Sequence, residues 1–255
     1  MQKALVTGAS SGIGWHFAQL LSKKGYDLVI TARNTERLNS LATELQNKTG
    51  RSVEVISADL TTDSGIQLIE RRLAAGDIEV LINNAGYGLN KSFTKSDSMD
   101  EIAVLRILCE APMRLAHAVI PSMITKNIGV IINVSSVAAW ITGGHYSATK
   151  SYLMVLSESL HTELAETAVQ VCSLAPGFTH TEFHQRGQMK MEGIPKFMWL
   201  DADDVVETAW RDAIAGKAIS IPGRQYQVLY ILMRYAPRSL VRRLGFSVRR
   251  NQRSK

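Results

Sequence analysis

Short runs of Val, Ile and Leu recur along the chain, separated by longer stretches in which apolar residues return every three or four positions. The first pattern marks strands covered on both faces, the second amphipathic helices. It predicts strands at 3–7, 27–32, 53–58, 79–83, 129–134, 169–175 and 218–221. Helices are predicted at 12–24, 35–48, 62–75, 100–126, 146–167 and 202–215. Such alternation implies the α/β class, a parallel sheet with right-handed crossovers. No internal repeat, low-complexity segment or linker interrupts it. A single domain is therefore expected over 1–223, with 224–255 as a basic amphipathic extension of the same domain. Residues 181–200 break the rhythm and are rich in Met, Phe and Trp. They read either as a substrate lid above the carboxyl ends of the strands, where open α/β sheets bind ligands, or as apolar core beneath a loop.

Composition refines this picture in a few places. A chain of 255 residues with 45% hydrophobic content can bury one sizeable core. Its 20% charged residues and six prolines argue against long disordered stretches. Cys109 and Cys172 sit in apolar segments without metal or redox spacing, so buried reduced thiols in a reducing compartment are expected. No leader is visible ahead of the first strand, and no apolar run approaches the roughly 20 residues of a membrane span. A cytoplasmic location follows. His180 and His184 stand four apart, but no third ligand accompanies them, so no metal is expected.

The net charge of +6 is unevenly spread: residues 224–255 carry nine Lys/Arg and no Asp/Glu, leaving 20 basic against 23 acidic residues elsewhere. Pro237 divides this tail into two helical stretches. Two readings stay open, a peripheral contact with an anionic membrane and packing on the body or a neighbouring subunit. Few aromatics interleave the basic run and no nucleic-acid module is present, so nucleic acid is not an expected partner.

The chemistry concentrates at the ends of strands. The first runs into Thr7-Gly8-Ala9-Ser10-Ser11-Gly12-Ile13-Gly14, and a helix follows. Gly8 allows a sharp turn off the strand, and Gly12 and Gly14 allow close approach of backbone to a pyrophosphate and of helix to sheet. The helix N-terminus then offers free N–H groups and partial positive charge to phosphates. A tight turn with no ligand is the alternative, but the placement at the first strand–helix junction is the one a dinucleotide site requires. The second strand ends in Ala32-Arg33-Asn34. An acidic residue there would hold a ribose 2′-hydroxyl and repel a 2′-phosphate. Arg33 could instead pair with that phosphate, which favours NADP(H) over NAD(H), unless it is an ordinary solvated charge. Tyr146 and Lys150, four apart on a predicted helix, share a face. A phenol titrates near pH 10, and a neighbouring ammonium is expected to lower that value and ease proton transfer.

Taken in order, TGxxxGIG at 7–14, Asp59-Leu60, Asn83-Asn84-Ala85-Gly86, Ser135-Ser136, Tyr146-x-x-x-Lys150 and Pro176-Gly177 resemble the short-chain dehydrogenase/reductase family over residues 3 to about 181. The resemblance implies a doubly wound Rossmann-type domain of about seven strands. It implies cofactor contacts from Gly8, Ser10, Ser11, Gly12, Ile13, Gly14 and Arg33, with Asp59 and Leu60 at the adenine. Asn84, Ala85 and Gly86 would line the adenosine ribose. Pro176, Gly177, Thr179 and Thr181 would hold the carboxamide, and Lys150 would grip the nicotinamide ribose beside Tyr146. Tyr146 would give its proton to a carbonyl oxygen that Ser136 orients.

Two departures from the family pattern stand out. Ser136 lies only 10 residues before Tyr146, roughly three fewer than usual, so the loop 138–145 is shortened, and Ser135 is a candidate substitute. Leu108 occupies the position where many members carry an asparagine that holds a relay water, and a leucine side chain cannot bind that water. The expected function is NADP(H)-dependent reduction of a ketone or aldehyde, or oxidation of the alcohol, on a hydrophobic small molecule. Leu108 motivates the alternative of a non-catalytic NADP-binding regulatory or scaffold protein. The resemblance also implies a homodimer or homotetramer built on helices 100–126 and 146–167.

Overall fold

Seven strands form at or within a residue or two of the predicted positions: β1 (Lys3–Thr7), β2 (Asp27–Ala32), β3 (Val53–Ser57), β4 (Val80–Asn83), β5 (Gly129–Val134), β6 (Val169–Leu174) and β7 (Ile219–Ser220). The structure, a computed structural model, describes residues 2–183 and 193–243. All neighbouring strands pair in parallel, in the order β3-β2-β1-β4-β5-β6-β7. The helices are α1 (Gly12–Lys23), α2 (Thr35–Thr49), α3 (Asp63–Leu73), α4 (Ser98–Leu105), α5 (Ala111–Lys126), α6 (His145–Glu163), α7 (Ala202–Ile214) and α8 (Arg224–Tyr235).

The period-2 geometry of a strand splits each apolar run between two faces. Ala4, Val6, Leu28, Ile30, Val80, Ile82 and Ile132 pack against Phe17 and Leu21 of α1, Leu38 and Leu45 of α2 and Val205 and Trp210 of α7. Their neighbours Leu5, Val29, Leu81 and Ile131 point the other way, onto Ile66 and Ile69 of α3 and Leu115 and Val119 of α5. Continuous apolar strands are thus explained by helices on both faces, as the α/β reading requires.

The predicted helix 100–126 is a single helical run broken by a π turn over Arg106–Glu110, where the Ala111 N–H donates to the Arg106 carbonyl. Pro112 supplies the cause. It has no N–H to give the Leu108 carbonyl four residues earlier, so the helix widens locally instead of keeping its register. The turn carries Ile107 and Leu108 to the carboxyl ends of the central strands. Among the described residues, no helix is long and apolar enough to cross a membrane.

The last strand, β7, has only two residues, and a buried acid holds it in place. Asp212 of α7 accepts 2.7 Å hydrogen bonds from the Ser220 hydroxyl and the Lys217 ammonium. Asp212→Ala would strand the fully buried Ser220 hydroxyl. A loss of about 1–3 kcal/mol is expected, read as a lower urea midpoint. An unchanged midpoint would show that β7 does not depend on this contact.

Candidate active site

The chain order places β1 and β4 side by side with their connections leaving in opposite directions, which opens a crevice at their carboxyl ends. One hydroxyl closes its floor. Thr7 Oγ1 donates to the Ile82 carbonyl at 3.2 Å and accepts from the Asn84 and Ala85 N–H groups at 2.9 and 3.0 Å. The Asn84 amide in turn donates to the Thr7 and Gly8 carbonyls at 2.9 and 3.3 Å. Gly8 turns off the strand at φ +67°, and a Cβ there would stand 2.8 Å from Ala85 Cα. A Cβ on Gly14 would meet Asn84 Nδ2 at 2.4 Å and the Gly8 carbonyl oxygen at 2.5 Å. Gly14 therefore serves packing behind the loop, whereas Gly8, Ser10, Ser11, Gly12 and Ile13 line the cleft itself.

That cleft encloses about 430 Å³. Arg33, Asp59, Leu60, Asn84, Ala85 and Gly86 line one end, and Ser136, Tyr146, Lys150, Pro176, Gly177, Thr179 and Thr181 the other. Every predicted cofactor and catalytic residue except Gly14 lines it. Three features suit a phosphorylated dinucleotide. The α1 N-terminus has no side-chain cap and no acidic residue in its first turn, leaving its N–H groups for an anion. Arg33 is exposed at the cleft edge, and among the described residues no carboxylate pairs with it. Thr31, also lining the cleft, buries a hydroxyl that has no hydrogen-bond partner among the described residues.

At the other end, Ser136 Oγ caps a short 3₁₀ turn, Val137–Trp140, by accepting from the Ala138 N–H at 3.1 Å, and its hydroxyl lies near enough to the Tyr146 phenol to affect its titration. Ser135 faces elsewhere: its hydroxyl is buried and donates to the Lys150 carbonyl at 2.7 Å. The pair in the cleft is thus Ser136 and Tyr146, with Ser135 securing α6 from behind. Lys150 is 5% exposed, donates to the Val134 carbonyl at 2.7 Å, and sets Nζ 5.6 Å from the Tyr146 ring centre.

The phenol pKa departs from the sequence expectation. Burial raises it above its ordinary value of 10, with the Ser136 hydroxyl pulling against that, and Lys150 does not lower it. The same burial pushes the Lys150 ammonium down to about 8.

Sequence reasoning missed several lining residues. Ile107 arrives through the π turn, which an unbroken helical pattern conceals, and Tyr87 and Gly88 follow directly on Gly86. Asn83 also went unassigned: its amide bridges the Pro112 carbonyl and Asn133 Oδ1 at 3.2 and 2.9 Å. Leu108 packs on Gly86, where a Cβ would meet Leu108 Cδ2 at 2.4 Å. Near the cleft mouth, Arg37 of α2 pairs with Glu182 at 2.8 Å, and Phe183 lies 6.2 Å from the Tyr146 ring. Of the proposed lid, residues 184–192 lie outside the described residues, His184 among them. His180 stacks on Trp199 at 4.7 Å.

The depressed lysine pKa carries a stability signature. Between about pH 8 and 10.5 the unfolded chain keeps a proton on Lys150 that the folded chain has released, so stability rises with pH across that window. Below it, the buried charge costs the ligand-free fold about 3 kcal/mol. Lys150→Met should therefore be more stable than the unsubstituted protein at pH 7, with the gap closing by pH 10 in paired urea melts. A gap independent of pH would mean that Lys150 does not titrate in this range.

Comparison with known proteins fits this geometry. A family model described as short chain dehydrogenase matches residues 2–192. An uncharacterised oxidoreductase of Staphylococcus epidermidis is 32% identical over 202 residues, covering 75% of this chain and 86% of that protein. A short-chain dehydrogenase from Sphingobium yanoikuyae, solved in complex with NADPH, superposes with a TM-score of 0.84 at 30% identity, covering 93% of this chain and 96% of the other. The bulky-bulky ketone specific alcohol dehydrogenase from Comamonas testosteroni does so with a TM-score of 0.79 at 29% identity, covering 94% and 96%. With its seven-stranded parallel sheet and this cleft, the chain belongs to the short-chain dehydrogenase family of oxidoreductases.

Proposed function

We propose that the protein is an NADP(H)-dependent carbonyl reductase acting on a bulky, hydrophobic ketone or aldehyde, with the reverse alcohol oxidation at the same site. The observation that carries this reading is the Ser136–Tyr146–Lys150 cluster at one end of a cleft whose other end holds an uncapped helix N-terminus and Arg33, which pairs with no carboxylate among the described residues. Gly8 to Ile13 and the first turn of α1 would hold the pyrophosphate, Arg33 the 2′-phosphate, and Asp59 and Leu60 the adenine. Asn84 to Gly86 would line the adenosine ribose, and Pro176 to Thr181 the nicotinamide end. Bound NADPH supplies the hydride.

The side chains do the rest. Tyr146, kept protonated by burial, is an acid that holds its proton until a carbonyl oxygen gains charge beside it. Ser136, in the cleft beside the phenol, would fix that oxygen's orientation. Lys150 keeps positive charge close to both while protonated and, with one donor spent on Val134, has others for a ribose hydroxyl. The family's asparagine position is taken by Leu108, so the proton that refills Tyr146 travels by another route. Half-buried Phe183, 6.2 Å from the Tyr146 ring, suits an apolar substrate, as the ketone specificity of the Comamonas structure also suggests. We place the protein in the cytoplasm as a homodimer or homotetramer, for which exposed Ile102, Leu105, Tyr152 and Val155 on the α4 and α6 surfaces supply apolar contact.

Turnover of a panel of bulky ketones with NADPH tests the reading. Tyr146→Phe should lower kcat/KM roughly 10²–10⁴-fold while leaving NADPH affinity intact. NADPH binding without turnover of any carbonyl would favour a regulatory nucleotide-binding protein instead. Arg33→Ala should weaken NADPH roughly 10-fold or more and leave NADH unchanged, the value of one charge-assisted phosphate contact. Equal loss for both cofactors would remove Arg33 from the 2′-phosphate.

A further inference from the structure

Surface helices ordinarily bury an apolar stripe and turn charge outward. Helix α8 carries a second apolar stripe on its open side. Tyr226 in its first turn is 1% exposed, donates to the Met198 carbonyl at 2.6 Å and accepts from the Phe178 N–H at 2.9 Å, which anchors the helix inward. Across the helix from Tyr226, the spacing of Val228, Ile231, Leu232 and Tyr235 places them on one arc, and they are exposed by 57, 57, 59 and 80%. After Pro237 the chain is helical again over 238–243, where Leu240 is also exposed. Arg224, Arg234, Arg238, Arg242 and Arg243 flank this stripe, all exposed, and among the described residues none pairs with a carboxylate. Arg234 donates to a neutral group, the Tyr230 hydroxyl, at 3.1 Å.

We propose that the outward face of α8 and residues 238–243 docks on an anionic lipid bilayer. An apolar arc bordered by arginines is the pattern of a helix lying in the membrane interface, its stripe among acyl chains and its guanidinium groups at phosphates. Charge decides against a second copy as occupant. A twofold contact through this face would set five arginines against the same five, with no acidic residue anywhere in 224–255 to offset them.

The location gives the contact a purpose, and this part rests on the proposed reductase activity. Tyr230 of α8 packs on Trp140 with ring centres 5.0 Å apart, and Trp140 ends the 3₁₀ turn that Ser136 caps. Tyr226 meanwhile sits under Gly177, where a Cβ would lie 1.9 Å from its ring. The docking helix is thus built onto the two segments that border the reacting end of the cleft, so docking would hold that end near the bilayer from which an apolar ketone partitions.

Vesicle flotation of the full chain tests the docking without any need for turnover. Phosphatidylcholine vesicles with and without phosphatidylglycerol are compared at low and high salt, beside Ile231→Glu/Leu232→Glu and Arg238→Glu/Arg242→Glu variants. These positions are exposed, so the fold and the reduction of a water-soluble ketone should be unaffected. The expected result is flotation with the anionic vesicles only, reduced at high salt and at least ten-fold in both variants. No flotation with anionic vesicles overturns the proposal, as does flotation that ignores the stripe substitutions. Light scattering that shows a dimer dissociated by Ile231→Glu/Leu232→Glu, without vesicle binding, assigns the face to a second copy instead.

Discussion

The architecture turns on a clasp between β1 and β4, the two strands where the winding of the sheet reverses. A hydroxyl can donate once and accept twice, and Thr7 uses all three capacities to join the end of β1 to the end of β4 and the loop beyond it. Asn84 returns the favour with its amide, so two loops that would otherwise be independent become one wall. That wall is close-fitting: Gly8 and Gly14 lie so near Asn84 and Ala85 that neither position has room for a methyl group. The cleft exists because the clasp holds these backbones apart from α6 yet near enough to share one ligand.

On the opposite wall, α6 delivers Tyr146 and Lys150 from consecutive turns, and Ser135 and Ser136 divide the labour below them. One serine bonds the helix backbone, and the other lines the cleft beside the phenol. Adjacent residues on an extended chain point to opposite sides, so a Ser-Ser pair at a strand end serves both purposes at once. Burial then sets the chemistry. It holds the proton on the phenol and makes the ammonium easier to neutralise, both in the direction of uncharged groups, because charge is costly where water is scarce. In the proposed reductase, a site so biased would donate a proton to an incoming carbonyl and rely on ligand contacts to stabilise what charge remains.

Much of this was legible in the chain, for definable reasons. Strands sealed on two faces leave unbroken apolar runs, and backbone that must turn or approach closely leaves glycine, so β1 to β6 and the loop at 7–14 could be read directly. Side-chain direction at the strand ends could not. The frame Ile-Asn-Val-Ser-Ser-Val-Ala favours Ser136, but a register shift of one residue reverses the answer and leaves Ser135 as a substitute, and only the fold shows Ser135 bonded to the Lys150 carbonyl. The π turn was hidden for a related reason. Its residues Arg106 to Glu110 continue a helical pattern without a break, and only the missing N–H of Pro112 hints that the register slips. The inverted effect on Tyr146 was invisible because the argument from a nearby ammonium has sign but no depth, and burial outweighs it.

Leu108 shows how a departure from a family pattern can be absorbed. Its side chain is 1% exposed and packs on Gly86, so it completes the wall that Asn84 begins. The polarity lost at that position is matched by polarity nearby. Asn83, buried beside it, leaves Oδ1 without a protein partner, and Asn83, Leu108 and Lys150 all border one small cavity of about 10 Å³. An unmet amide oxygen inside a protein is costly and therefore uncommon. Its retention next to the one buried ammonium of the site argues that the loss of a side-chain amide from the helix does not leave Lys150 in a wholly apolar setting.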